Sequence, residues 1–189
     1  MGEGSVLLAF VTFQRLAELA LARHNTQHLR AAGAIEYGRG HYPAIVALHT
    51  AWLAGLWGLG YDRSVDGAFL MGFVMLQAAR IWVIASLGRR WTTRIMVLAG
   101  EPLVQRGSYR FVHHPNYLVV ALEIAVVPLA LGLPRYAAAF FILNVVALLI
   151  RIRAENTALA WATGADRGNA DESRGGSPDR TLAKSERSL

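Results

Sequence analysis

The chain has 189 residues and no cysteine, which excludes a disulfide framework, a thiolate metal site and a cysteine nucleophile. Hydrophobic residues make up 54% and charged residues 17%, with a mean hydropathy of +0.32, too apolar for a small domain that must cover itself with polar surface. A net charge of +6 and a pI near 10.3 raise the question of nucleic acid, but the arginines lie in short segments between apolar blocks, so topology accounts for them and no nucleic-acid partner is expected.

The opening MGEGSVLLAF has no basic n-region, and its sixth residue is Val6 rather than Ser or Thr, so neither a cleaved signal nor a myristoylation site is expected. A membrane-spanning helix needs roughly 20 apolar residues, and five segments approach or meet that length. They run from about Ser5 to Ala22, Tyr42 to Gly60, Asp66 to Leu87, Asn116 to Leu133, and Arg135 to about Ile152. The last two are joined so tightly, through Gly132, Leu133 and Pro134, that an antiparallel helical hairpin is predicted. The fold class is therefore an all-α integral membrane protein of about five helices. Its membrane domain is expected over residues 1–163, followed by a disordered polar tail over 164–189, where Gly, Asp, Ser, Arg and Pro replace apolar residues.

Lys and Arg crowd alternate connections. Arg23, Arg30 and Arg39 precede the second helix, Arg89, Arg90, Arg94, Arg106 and Arg110 precede the fourth, and Arg151 to Arg187 follow the fifth; the other side has Arg63 and Arg135. An excess of basic residues marks cytoplasmic segments, so the N-terminus is expected outside, the C-terminus inside, and the chain in the cell membrane. Gln14, Arg15, Glu18, Gln77, Arg80, Glu123 and Asn144 interrupt the apolar helices. Intramembrane charges pair or serve a site: an internal network, Arg15 with Glu18 and Arg80 with Glu123, is the favoured reading, and Glu123 beside a substrate pocket is the alternative.

The connection from Gly88 to Tyr117 is the longest and ends in His113-His114-Pro115-Asn116-Tyr117. Pro115 suits the first position of a helix and pushes His114 toward extended backbone. Such a helix is expected to present the N–H groups of Asn116, Tyr117 and Leu118 to a carboxylate, with Tyr109 and Tyr117 offering faces to a sulfonium or an adenine. Arg151 and Glu155 are four apart and share a helix face. Spacing alone favours a helix-end ion pair there, over an acceptor for cofactor donors beside a cation for an anionic substrate. Gly58-Leu-Gly60 follows no strand and supports no dinucleotide fingerprint, and His24 with His28 has no acidic third ligand, so no metal is expected.

Leu103-Val104, Gly107-Ser-Tyr109-Arg110, His114-Pro115-Asn116-Tyr117 and Arg151 with Glu155 together resemble the isoprenylcysteine carboxyl methyltransferase family, over roughly Arg80 to Leu159. The resemblance implies a membrane fold that binds S-adenosylmethionine at its cytoplasmic side and draws a lipophilic small-molecule substrate from the surrounding lipid. By motif position it implies cofactor contacts at Pro102, Leu103, Val104, Tyr109, His114, Pro115, Asn116, Tyr117 and Glu155, with Arg94 as a further contact and Arg151 facing the substrate. His113, Ser108 and Asn156 depart from the family pattern; the first alters the charge beside the cofactor. The stretch from Trp82 to Ile95, with Glu123-Ile124, resembles the small bacterial branch found beside type III polyketide synthases. That branch implies O-methylation of an alkylpyrone or alkylresorcinol hydroxyl, with a prenylcysteine carboxylate as the other acceptor that suits Arg151. Glu123 is the candidate base. Membrane reductases of the steroid-reductase type carry a similar His-Pro-x-Tyr element and bind NADPH, which makes them the alternative; a non-catalytic scaffold or carrier is the third class.

Overall fold

The computed structural model describes residues 2–98, 107–112 and 114–175, with side chains as far as Leu159. Five helices form in chain order: α1 (Glu3–Ala31), α2 (Tyr42–Gly60), α3 (Gly67–Leu87), α4 (Pro115–Ala130) and α5 (Pro134–Gly175). Among the described residues, α1, α2, α3 and the first part of α5 are long and apolar enough to cross a membrane, and α4 is a shorter apolar helix. α2 and α3 fall where hydropathy put them. α3 starts where Asp66 accepts from the N–H groups of Ala68 and Phe69 at 2.9 and 3.1 Å, satisfying two donors that the first turn leaves open.

Helices α1 and α5 outrun their apolar stretches. α1 continues past Ala22 to Ala31, and the backbone of α5 stays helical past Ile152 to Gly175. Hydropathy ends where lipid ends, but Arg, Gln, Glu and Leu keep good helix propensity, so the helix itself goes on. The hairpin turn between α4 and α5 is as tight as predicted: Gly132 takes φ +66, and the N–H groups of Leu131 and Leu133 return to the Pro128 carbonyl at 3.2 and 2.9 Å.

One element was not predicted, a two-stranded antiparallel ribbon of β1 (Ile35–Tyr37) and β2 (Ile95–Val97). It joins the α1–α2 connection to the α3–α4 connection, and its Ile95 and Val97 pack on Ala158 of α5. The described parts of the three basic segments therefore gather at one end of the bundle. At the other end, Arg63 Nη1 donates to the Gly132 carbonyl and the Asp66 N–H to the Ala130 carbonyl.

The main core, Leu8, Val11, Trp52, Leu56, Phe73, Ile124 and Val127, lies toward this second end. Pro128 has no N–H for the carbonyl of Ile124, four residues earlier. The fully buried Trp52 indole supplies the missing donor, at 3.1 Å, and so ties α2 to the break in α4. A smaller cluster of Ala22, Val83, Trp91 and Val119 lies toward the basic end, beneath the site.

Candidate active site

The cluster assembles on α4 and α5 at the basic end. His114 is the N-cap of α4, with φ −130° and ψ 61°, and Pro115 opens the helix. The expected row of amide donors is reduced there. The N–H groups of Tyr117 and Leu118 both turn back to the His114 carbonyl, at 3.2 and 3.3 Å, so among the described residues only the Asn116 N–H of the three is left to face a carboxylate.

Side chains compensate. Arg151 is buried, at 7% exposure, and its Nε donates to the Tyr117 hydroxyl at 2.9 Å. That hydroxyl in turn donates to Glu155 Oε2. Arg151 and Glu155 therefore do not pair directly, as their spacing favoured; a phenol stands between them. His114 stacks on the Tyr117 ring with centroids 5.4 Å apart, and its Nδ1 lies 3.9 Å from Glu155 Oε2. The Arg151 guanidinium carbon is 5.5 Å from the Tyr117 ring centre. Burial, with the charge of Arg151 next, holds the imidazole of His41 below its ordinary value, so the start of α2 borders the same charge.

Two supports hold this edge. Gly107 takes φ +60, and a Cβ there would collide with Ser86 Oγ of α3, so the 3-10 turn of Gly107–Arg110 requires glycine to seat against α3. The Ser108 N–H donates to the same Ser86 hydroxyl at 3.2 Å. The turn presents Tyr109, whose hydroxyl is pushed up by burial and then by the charge of Glu155. The second support runs through Asn25 of α1, which donates to the Trp91 carbonyl at 2.8 Å, while the Trp91 indole reaches Asn116 Oδ1 at 3.4 Å. Neither Asn25 nor Trp91 was among the predicted site residues; each is 3% exposed, and nothing in their spacing sets them apart from ordinary loop residues.

Other predicted residues make contacts of their own. Arg94 donates to Glu36 and lies 4.4 Å over the Tyr42 ring. Glu36 also accepts from Arg30 at 2.5 Å and faces Arg39 at 3.6 Å. Burial pushes the Glu36 carboxyl up, but the hydrogen bonds and charges of Arg94 and Arg30 prevail and hold it below the ordinary 4.5. A depressed folded value stabilises the fold above the unfolded pKa, and that contribution is lost as pH falls through the folded one. Glu36→Gln should therefore flatten the acid side of the stability profile below about pH 4.5, as read by thermal melts; an unchanged acid limb would show that Glu36 and its arginines add no pH-linked stability.

Glu123 takes its partners from α1 and α3. It is fully buried and accepts from Arg15 at 2.6 Å, Gln77 at 3.0 Å and both nitrogens of the Arg80 fork. Glu18 completes the lattice, 3.0 Å from Arg15 and 3.3 Å from Arg80. Pro102, Leu103 and Val104, like His113, lie outside the described residues.

The model of the isoprenylcysteine carboxyl methyltransferase family matches residues 68–161, a range that contains the whole Tyr117, Arg151 and Glu155 cluster. The chain belongs to this family. It is 38% identical over 167 residues to the uncharacterized protein YpbQ of Bacillus subtilis, covering 82% of this chain and 95% of that protein. An uncharacterized protein of Haemophilus influenzae is 23% identical over 169 residues, covering 82% and 94%. No solved structure matches. Isoprenylcysteine carboxyl methyltransferases are membrane-embedded, in keeping with the apolar helices, and membership of the family suggests a methyltransferase.

Proposed function

We propose that the protein methylates an oxygen of a lipophilic acceptor, using S-adenosylmethionine, at the membrane face where its basic segments gather. The observation that carries this reading is the Arg151–Tyr117–Glu155 chain, a buried cation and an accessible carboxylate joined through one phenol. The donor set fits the cofactor. The Glu155 side chain is 28% exposed, so an anionic acceptor faces the opening, and Tyr109 lies near enough to feel its charge. Glu155 holds the amino group, with His114, Pro115, Asn116, Tyr109 and the Tyr117 ring around it. Pro102, Leu103, Val104 and Arg94 join them by family motif alone.

The bound cofactor supplies a sulfonium methyl: the acceptor oxygen forms a bond to that carbon, the carbon–sulfur bond breaks, and its electron pair stays on sulfur. The protein's task is then to position and desolvate. Arg151 holds the acceptor oxygen in its anionic form, next to the carboxylate that holds the cofactor. An acidic pyrone enol is already ionised near neutral pH and needs no base, unlike a phenol with a pKa near ~10. An alkylpyrone or alkylresorcinol made by a type III polyketide synthase is the acceptor we favour, and a prenylcysteine carboxylate also suits Arg151. The basic end faces the cytoplasm and the N-terminus the outside, following the charge bias.

Calorimetry on the detergent-purified full chain, titrating S-adenosylhomocysteine and NADPH separately, tests this reading. Saturable S-adenosylhomocysteine binding is expected, weakened roughly ten- to hundred-fold by Glu155→Ala through loss of a charge-assisted contact. Binding of NADPH instead would make the protein a reductase.

A further inference from the structure

The Tyr117 hydroxyl has one proton to give, and in this structure Glu155 receives it while Arg151 Nε donates to the same oxygen. Resting on the reading above for the identity of both ligands, we propose that Tyr117 is a coupling residue that shifts its hydrogen bond from Glu155 to the acceptor oxygen once the cofactor amine occupies Glu155.

The carboxylate, the phenol and the guanidinium form a line across α4 and α5. A cofactor ammonium is a stronger partner for Glu155 than a neutral phenol, because a hydrogen bond between two charged groups exceeds one to a neutral donor. With Glu155 taken, the Tyr117 hydrogen turns to the next acceptor in reach. Arg151 Nε already marks that place: an anionic oxygen resting against the guanidinium also lies beside the Tyr117 hydroxyl. Stacking on His114 keeps the ring in place, so only the O–H rotates. No covalent bond changes in this step. Cofactor occupancy thus adds a donor to the acceptor site, and each ligand tightens the other by the same factor, as linkage requires.

The test measures binding of 5-pentadecylresorcinol and of N-acetyl-S-farnesylcysteine to the full chain in nanodiscs, with and without saturating S-adenosylhomocysteine. In the wild type the probe that binds should tighten by roughly tenfold when the cofactor product is present. In Tyr117→Phe, which keeps the ring around the cofactor and loses only the hydroxyl, that ratio should fall to about one at S-adenosylhomocysteine concentrations that saturate the variant. In Glu155→Ala the phenol has no carboxylate to serve, so the probe should bind without cofactor as tightly as it binds the cofactor-loaded wild type. That arm needs no cofactor site, and so it separates this proposal from the reading it rests on. An unchanged ratio in Tyr117→Phe, loss of its S-adenosylhomocysteine binding, no gain in Glu155→Ala, or no binding of either probe would each overturn the coupling role. Absence of S-adenosylhomocysteine binding to the wild type would instead overturn the methyltransferase reading.

Discussion

Replacing Glu123 by alanine is expected to destabilise the bundle by about 3–5 kcal/mol, the usual result of removing one partner from a buried ionic group. Glu123 lies at the crossing of α1, α3 and α4, wholly enclosed, and both Arg15 and Arg80 donate to it. Without it Glu18 alone faces two guanidinium groups, and one positive charge is left without a partner in an apolar interior. The wild-type lattice balances, two arginines against two glutamates, and Gln77 and Gln14 supply further donors to the carboxylates. Glu123→Gln keeps the shape and loses the charge, so a smaller loss is expected. Converting Glu123 and Arg80 together to apolar residues of similar volume should recover much of the stability, since well-packed apolar groups replace buried ion pairs at little cost. Denaturant titration in mixed micelles reads all three. An alanine variant as stable as the wild type would show that the charges find other partners. If Glu123→Gln also leaves the pH–rate profile unchanged, the general-base role is removed as well.

Arg151→Met is expected to reduce turnover by roughly 10²–10³-fold, the range seen when a donor to a developing or resident oxyanion is removed. The reason lies in the burial of Arg151 and in its fixed orientation, held by Tyr117 from one side. A charge so enclosed acts strongly on an oxygen placed beside it, because little water screens it. S-adenosylhomocysteine affinity should change by no more than about threefold, since Glu155 is untouched; such a split assigns the loss to the acceptor side. Lysine is not expected to rescue, because it has no planar Nε to hold the phenol while pointing a second nitrogen elsewhere. Equal losses of cofactor affinity and turnover would move Arg151 to the cofactor.

How far the sequence could be read follows the physics of each signal. Membrane helices announce themselves through apolar runs, so α2 and α3 were bounded within a residue, and the pairing of Arg80 with Glu123 was legible because charges in lipid need partners. The reach of α1 and α5 beyond the apolar stretch left no hydropathy mark. The ribbon was hidden because Ile35–Tyr37 and Ile95–Val97 are three residues each, too short for alternation to be counted, and they pair across the whole of α2 and α3. Glu36 was missed with it, as its role depends on Arg94 arriving from the far strand. Spacing put Arg151 and Glu155 on one face, but the insertion of Tyr117 between them is a tertiary fact that no spacing within α5 carries.

The shortness of α4 bears on where the chemistry takes place. Its 16 residues rise about 24 Å, whereas the hydrocarbon layer of a typical bilayer is about 30 Å thick. Its neighbours α1 and α3, with 29 and 21 residues, have no such deficit. A short helix among longer ones draws its polar end below the level of the headgroups or thins the lipid around it. His114 and Tyr117 begin that helix, so an acceptor of the kind proposed above would meet them at a depth an amphiphile already occupies. The hydrocarbon chain of such an acceptor would stay among the lipid tails throughout, and its methylation would need no extraction from the bilayer.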